Sequence, residues 1–396
     1  MDTINIEDEY SVKFFEKIPL SIDRGEGLTV WDENGREYLD YTSGWAVTCL
    51  GYSHPVIIDA IVKQSKKIMH NPNAGLTYSP SRARLLMELV KILPGNLHKL
   101  FFTNSGAEAN DAAMKLARKI TKRKKILSAR MSFHGRTLAT SSATGQAIQR
   151  DRYNVLVPHF DFFDINDFEG FKKCIDDDTA AVIIEPMQGE GGVIVIESDF
   201  LLNVQKCCKE NGTLLIVDEI QTGFFRTGPA FLSEELGIQP DFLTLAKGIA
   251  GGFPFGAVAI TKEIAGKIEN GDHGGTYNGN PLGCAVAAAV IKFMVENNFK
   301  DKVNKSAQYL EKRMRECKSE YPELIKDVRG KGLLWAIEFA KAKHASHVFE
   351  RAQETGLLLN LKHGTIIRIF PALVITEEEM DRGVEIIKTI LFEINK

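Results

Sequence analysis

Lys247 sits in the run LTLAKGIAGGFPFG (243–256), where an apolar stretch turns glycine-rich immediately after the amine. A lysine at a strand end is ordinarily a solvated surface residue. A desolvated lysine, by contrast, has a lowered pKa and can attack a carbonyl to form a Schiff base. Other chemistry-bearing groups recur at the ends of similar runs. TLLIVDE (213–219) ends in Asp218 and Glu219, with Gln221 close behind. An acid there could hydrogen-bond a protonated ring nitrogen, or simply cap a helix. In NSGAEANDAAMKLARK (104–119), Ser105 and Glu108 have capping-box spacing, and Ala109, Ala112, Ala113 and Leu116 form one apolar helix face. The free N–H groups at that helix start, around Ser105, Gly106 and Ala107, suit a phosphate, as any capped helix end does. SFHGRT (132–137) adds an aromatic ring, Phe133, and a cation, Arg136.

The elements that must position these groups follow from patterning. GLTVWDENGREYLDYTSG (27–44) reads as a β-hairpin around DENG. From about 55 to 285, short β-rich runs alternate with helix-length segments: KLFFT, KKILSA, AAVIIEP, TLLIVDE, DFLTLAK and GAVAI. Such alternation predicts a mostly parallel sheet covered by helices, with ligands at the carboxyl ends of its strands. After 285, GLLWAIEF and TIIRIFPAL predict further strands. The expected division is therefore 1–54 and 286–396 in a smaller α+β domain, and 55–285 in a large α/β domain.

A chain of 396 residues with 44% hydrophobic and 26% charged residues is ordinary globular material, too long for one minimal domain. Its net charge of -3 argues against a nucleic-acid surface, and the short basic cluster RKITKRKK (118–125) reads as the solvated end of a helix. The acidic start lacks a basic and an apolar signal region, and no run is long and apolar enough to span a bilayer. Cys49, Cys174, Cys207, Cys208, Cys284 and Cys317 show no CxxC spacing, so neither a zinc site nor a disulfide framework is expected, and the reading is of reduced thiols in a cytoplasmic protein. His344 and His347 lack further ligands, so no metal is expected.

A phosphate cradle, an acid, a stacking ring and an amine are what pyridoxal 5′-phosphate (PLP) requires. Seven segments, in order, carry a resemblance along nearly the whole chain: RGEGLTVWDENGREYLDYTSG, NSGAEAN, SFHGRTLATSSATGQ, IIEPMQGEGGV, VDEIQTGFFRTG, TLAKGIAGGFPFGA and GTYNGNPLG. The sequence resembles the class III (ω-)aminotransferases, PLP enzymes of fold type I, and most closely the acetylornithine aminotransferase group. The resemblance implies that Lys247 carries the cofactor as a Schiff base and moves the substrate proton. It implies that Asp218 partners the pyridinium, Gln221 lies near the phenolic oxygen, Phe133 stacks on the ring, and Ser105, Gly106 and Ala107 bind phosphate. Thr276 would reach the phosphate from the other subunit of a homodimer.

Arg136 matches a position that binds a donor carboxylate, Arg368 the grip on the α-carboxylate of glutamate or 2-oxoglutarate, and Glu190 a switch that covers the arginine when the donor has no carboxylate there. Trp45 and Gly275 depart from the acetylornithine pattern, which usually has a smaller aliphatic residue and a hydroxyl residue at these positions. The implied reaction moves the terminal amino group of an N-acetylornithine-like donor to 2-oxoglutarate by a ping-pong route, giving a semialdehyde and glutamate. 4-Aminobutyrate, ornithine or another ω-amine are alternative donors, and a catalytically silent PLP-binding module is the alternative of another class. A nicotinamide enzyme would want a GxGxxG turn after its first strand, which is missing.

Overall fold

The computed structural model describes residues 2–153 and 155–396. Its main sheet has seven strands in the spatial order Leu97–Thr103, Gly256–Thr261, Phe242–Leu245, Leu214–Asp218, Thr179–Ile184, Lys125–Ala129 and Phe160–Phe163. The five strands from Phe242–Leu245 onward run parallel, while Gly256–Thr261 is antiparallel to both its neighbours. Every residue of Thr179–Ile184 is buried, because helices cover both faces of the sheet. Alternation along Leu214–Asp218 divides the core: Leu215 and Val217 pack into one apolar cluster and Ile216 into the other. Helix Gly106–Thr121 lies on the second cluster through Ala109, Ala112, Ala113 and Leu116, all buried as their spacing predicts. Small residues on that face let the helix axis approach the sheet closely.

The predicted hairpin forms between Thr29–Asp32 and Glu37–Asp40, with Val30 opposite Tyr38. Ile22–Glu26 pairs on its outer side, and on its inner side Leu357–Leu358 runs parallel to Glu37–Asp40, so the first strands of the chain share a sheet with a late one. A second antiparallel sheet contains Ile325–Lys331, Leu334–Phe339, Ile366–Ile369 and Asn360–Lys362. Position 285 falls inside the continuous helix Pro281–Glu296 rather than in a link.

Two local readings change. The strand Phe160–Phe163 was not anticipated, because the short segment HFDFF mixes charge with aromatics at a sheet edge. The basic cluster at 118–125 is partly built in rather than solvated: Arg118 donates to the Pro158 carbonyl at 3.0 Å and lies over the Phe160 ring, and Lys119 pairs with Asp272 at 2.7 Å. Among the described residues no single helix is long and apolar enough to cross a membrane, and no group of three histidine, cysteine or carboxylate side chains is placed to hold a metal.

Candidate active site

The carboxyl ends of the parallel strands open onto a cavity of about 340 Å³, within the usual size range for small-molecule sites. At its floor Asp218 ends its strand, buried, and is held from three directions. Its Oδ2 accepts from Asn110 Nδ2 at 2.8 Å and lies 2.8 Å from His134 Nδ1, and its Oδ1 accepts from the Ile220 N–H at 3.0 Å. Asn110 also donates to the His134 carbonyl at 2.8 Å, which ties the helix to the loop that carries Phe133. Glu185, beyond the next strand end, is buried and accepts from the Phe133 and Gly189 N–H groups. Burial pushes its carboxyl up to about 7, with His134 pulling it down and Asp218 pushing it further up.

Lys247 follows strand Phe242–Leu245 and begins a single 3₁₀ turn, Lys247–Ala250. Its φ of 45° lies in the left-handed region that a lysine seldom adopts, a strain that persists because the flanking strand and turn determine it. The side chain points into the cavity. Desolvation lowers the pKa of its amine, Glu190 opposes that shift and Arg368 adds to it. The neutral amine needed for nucleophilic and proton-transfer work is thereby favoured.

At the cavity's other wall, Ser105 caps helix Gly106–Thr121, its Oγ accepting from the Glu108 N–H at 3.2 Å. The reciprocal half of the expected capping box is displaced by one residue: the Glu108 carboxylate takes the Asn104 N–H at 2.7 Å. The first N–H groups, of Gly106 and Ala107, have no acceptor within the helix. A Cβ on Gly106 would stand 2.6 Å from an Ile220 methyl, so glycine alone lets the helix end sit this close behind Asp218. Phe133 is half-buried in the cavity wall, and Gln221, also lining it, has a buried Nε2 with no partner among the described residues.

A second cluster adjoins the first through Glu190. Arg368, on strand Ile366–Ile369, is fully buried. Its Nε donates to Asn360 Oδ1 at 2.8 Å and its Nη1 to the Gly189 carbonyl at 3.0 Å, while Nη1 also stands 2.7 Å from Glu190 Oε1. The Nη2 group is buried and finds no partner among the described residues. The guanidinium carbon is 5.4 Å from the Trp45 ring centre and 5.2 Å from that of Phe370. Glu190 also receives Lys362 Nζ on Oε2 at 2.8 Å. Burial raises the Glu190 pKa, but Arg368, Lys362 and Lys247 more than offset that and hold the carboxyl at about 2.

The structure thus gathers Ser105, Gly106, Ala107, Phe133, Glu190, Asp218, Gln221 and Lys247 around one cavity, with Arg368 and Trp45 behind Glu190. Arg136 is exposed, its guanidinium 5.6 Å from the Phe133 ring and 5.7 Å from that of Phe15. Gly275 and Thr276 are exposed and line no part of this cavity; their segment is tied to the helix start through Asn278, which accepts from Asn104 Nδ2 at 2.7 Å. Sequence reasoning missed Asn110, His134, Glu185, Asn360 and Lys362. His134 stands next to Phe133 in a quoted motif and Asn110 one turn after Gly106, so both signals were present; Lys362 has no local signal.

Comparison with known proteins bears on this geometry. The aminotransferase class-III family model matches residues 11–391. The chain belongs to the class-III aminotransferases. It is 38% identical over 393 residues to the acetylornithine aminotransferase of Methanothermobacter thermautotrophicus, covering 99% of each chain. To the acetylornithine aminotransferase of Aquifex aeolicus it is 37% identical over 388 residues, covering 96% of this chain and all of the other. Among solved structures, a transaminase from the marine bacterium Virgibacillus superposes with a TM-score of 0.94 at 27% identity, covering 98% of both chains. The ornithine aminotransferase of Toxoplasma gondii, in a structure describing partial PLP occupancy at its active site, superposes with a TM-score of 0.91 at 29% identity, covering 99% and 94%.

Class-III aminotransferases use PLP, and the α/β architecture here is theirs. The residues of this aminotransferase fit the cofactor. The bare helix-end N–H groups suit its phosphate, the anchored Asp218 its ring nitrogen, the desolvated Lys247 its aldehyde, and the unpartnered Gln221 amide a ring oxygen.

Proposed function

We propose that this aminotransferase moves the terminal amino group of an N-acetylornithine-like donor to 2-oxoglutarate by a ping-pong route, releasing a semialdehyde and then glutamate. The observation that carries this reading is the buried Arg368–Glu190 pair at one end of the Lys247 cavity. A fixed guanidinium with a carboxylate cover suits an enzyme that alternates between a donor without, and an acceptor with, a carboxylate at that place. The acetylornithine aminotransferases among its relatives support the choice of donor.

PLP, when bound, acts as the electron sink that stabilises negative charge on the substrate carbon. In this reading Lys247 would hold the cofactor, and its neutral Nζ would take the proton from the substrate carbon and return it elsewhere. Asp218 would face the ring nitrogen, its geometry set by Asn110, His134 and the Ile220 N–H. Gly106 and Ala107, with Ser105, would hold the phosphate, Phe133 would lie against the ring and Gln221 would serve the ring oxygen. Arg136, free at the rim, meets the donor's acid end.

We further propose a homodimer in which Thr276 of a second copy completes the phosphate site. Thr276 is exposed, and the adjoining Met69, Leu76, Tyr78 and Tyr277 form an exposed apolar surface of the kind that protein interfaces cover. Trp45 beside Arg368 favours a second reading in which the donor is another ω-amine, because a bulky indole stands next to the guanidinium assigned to the substrate carboxylate.

The deciding experiment presents N-acetylornithine, ornithine, 4-aminobutyrate, lysine and putrescine separately to the PLP-loaded enzyme in single-turnover mode, following the visible absorbance. Rapid bleaching with N-acetylornithine alone is expected. Bleaching only by another amine would replace the donor, and none by any of them would reject the reading.

A further inference from the structure

Arg368 is pinned in a way that constrains how any carboxylate can reach it. Asn360 occupies Nε and the Gly189 carbonyl takes one Nη1 hydrogen, so the guanidinium cannot rotate to meet a ligand. A bidentate grip is left to the Nη1–Nη2 end. Nη2 is bare, but Glu190 Oε1 stands 2.7 Å from Nη1. Glu190 must therefore move before an incoming carboxylate can engage both nitrogens. Held at about 2 by its cations, Glu190 leaves as an anion, and it leaves from a buried position. A buried carboxylate without a counter-charge is strongly unfavourable.

Lys362 answers that need. In the strand Asn360–Lys362, Asn360 is opposite Arg368 and Lys362 opposite Ile366, so residues two apart bring Asn360 and Lys362 to the face that Arg368 occupies. Its Nζ already stands 2.8 Å from the second Glu190 oxygen, and its side chain is largely covered. The other cations nearby do not serve. His363 meets the Glu190 backbone carbonyl rather than its carboxylate, and burial lowers its pKa away from the charged form. Lys247 adds to the positive field at Glu190, but its amine is itself desolvated toward the neutral form.

We propose that Lys362 is a positioning residue that gives Glu190 a second seat, so that the carboxylate can leave Arg368 for an incoming dicarboxylate without losing its counter-charge. The inference rests on the reading of Arg368 as the acceptor's grip. It adds that opening costs less in this chain than in one where the arginine is the only partner of the switch, and that Lys362 tunes the acceptor half of the cycle selectively.

The test uses PLP-loaded Lys362→Met, with each half-reaction measured alone and the affinity for glutarate, a dicarboxylate that cannot react, measured by calorimetry. The glutarate Kd and the KM for 2-oxoglutarate are expected to rise about tenfold, while the donor half-reaction stays within about twofold. Lys362→Arg should restore most of the loss, because it keeps the charge. In a Glu190→Ala background Lys362→Met should add nothing, since the lysine acts through Glu190. Equal losses in both halves with a lowered Tm would make Lys362 a structural ion pair and overturn the inference, as would unchanged glutarate affinity. A loss that persists without Glu190 would make the lysine a direct ligand and also overturn it. Arg368→Ala in the same assays separates the two levels. If glutarate affinity survives that change, the reading of Arg368 fails; if it is lost there but untouched in Lys362→Met, only the role of Lys362 fails.

Discussion

Asp218 and Glu190 are two buried carboxylates on one cavity, and they are held in opposite ways. Asp218 is fixed by short groups, an asparagine amide, an imidazole and a backbone N–H, each anchored in a different element. Glu190 is held by the tips of an arginine and a lysine. Short, cross-braced partners make a charge that stays in place through a cycle; a carboxylate shared between two long cationic side chains can change partner at small cost. The first arrangement suits a cofactor that never leaves, the second a pocket that must accept two different substrates in turn.

The comparison can be broken at several points. Lys247→Ala should abolish transamination, by roughly a thousandfold or more, and remove the imine absorbance band of the PLP-loaded protein; turnover near the wild-type rate would end the assignment of the amine. Arg368→Ala should be next in size, weakening the 2-oxoglutarate half-reaction about a hundredfold while the donor half changes far less. Equal losses in both halves would place Arg368 among the structural residues. Asn110→Ala removes one brace from Asp218 and leaves a buried oxygen short of a donor. A stability loss of about 1–3 kcal/mol, read by chemical denaturation, and weaker cofactor retention are expected, with the two half-reactions affected alike. A selective effect on one half would contradict the distinction between the fixed and the movable carboxylate.

The smallest effect is a pH dependence. The Glu185 carboxyl, at about 7 in the fold, lies above its ordinary value of 4.5. Its proton is held more tightly in the folded state, so the associated stability is fully present below about 4.5, declines as pH rises, and is gone above about 7. In cofactor-free Glu185→Gln, denaturation curves between those limits should lose about 1–3 kcal/mol of that decline. Parallel pH profiles for variant and wild type would show that Glu185 titrates normally.

Legibility in the sequence followed the same division. Asp218 and Lys247 each end a run of apolar residues, and Gly106 follows a cap, so strand-end logic finds them without knowing what pairs with what. The order of the strands was not legible: the reversed Gly256–Thr261 reads the same as its parallel neighbours, because a strand buried on both faces has no pattern that reports direction. Glu190 and Arg368 were found only through family resemblance. Lys362 was missed altogether, since its role depends on a register that sets Asn360 opposite Arg368 and on a loop from the far side of the chain.

The pairing of Leu357–Leu358 with Glu37–Asp40 also sets a timetable. Hundreds of residues separate the hairpin from Leu357–Leu358, so its inner edge stays open until that later strand has been synthesised. At roughly 5–20 residues per second, that is a wait of tens of seconds, during which an unpaired strand edge is available to neighbouring chains. Arg368 follows about ten residues after the strand that closes this edge, so a nascent chain acquires the arginine of the Glu190 pair and the means to protect this sheet almost together.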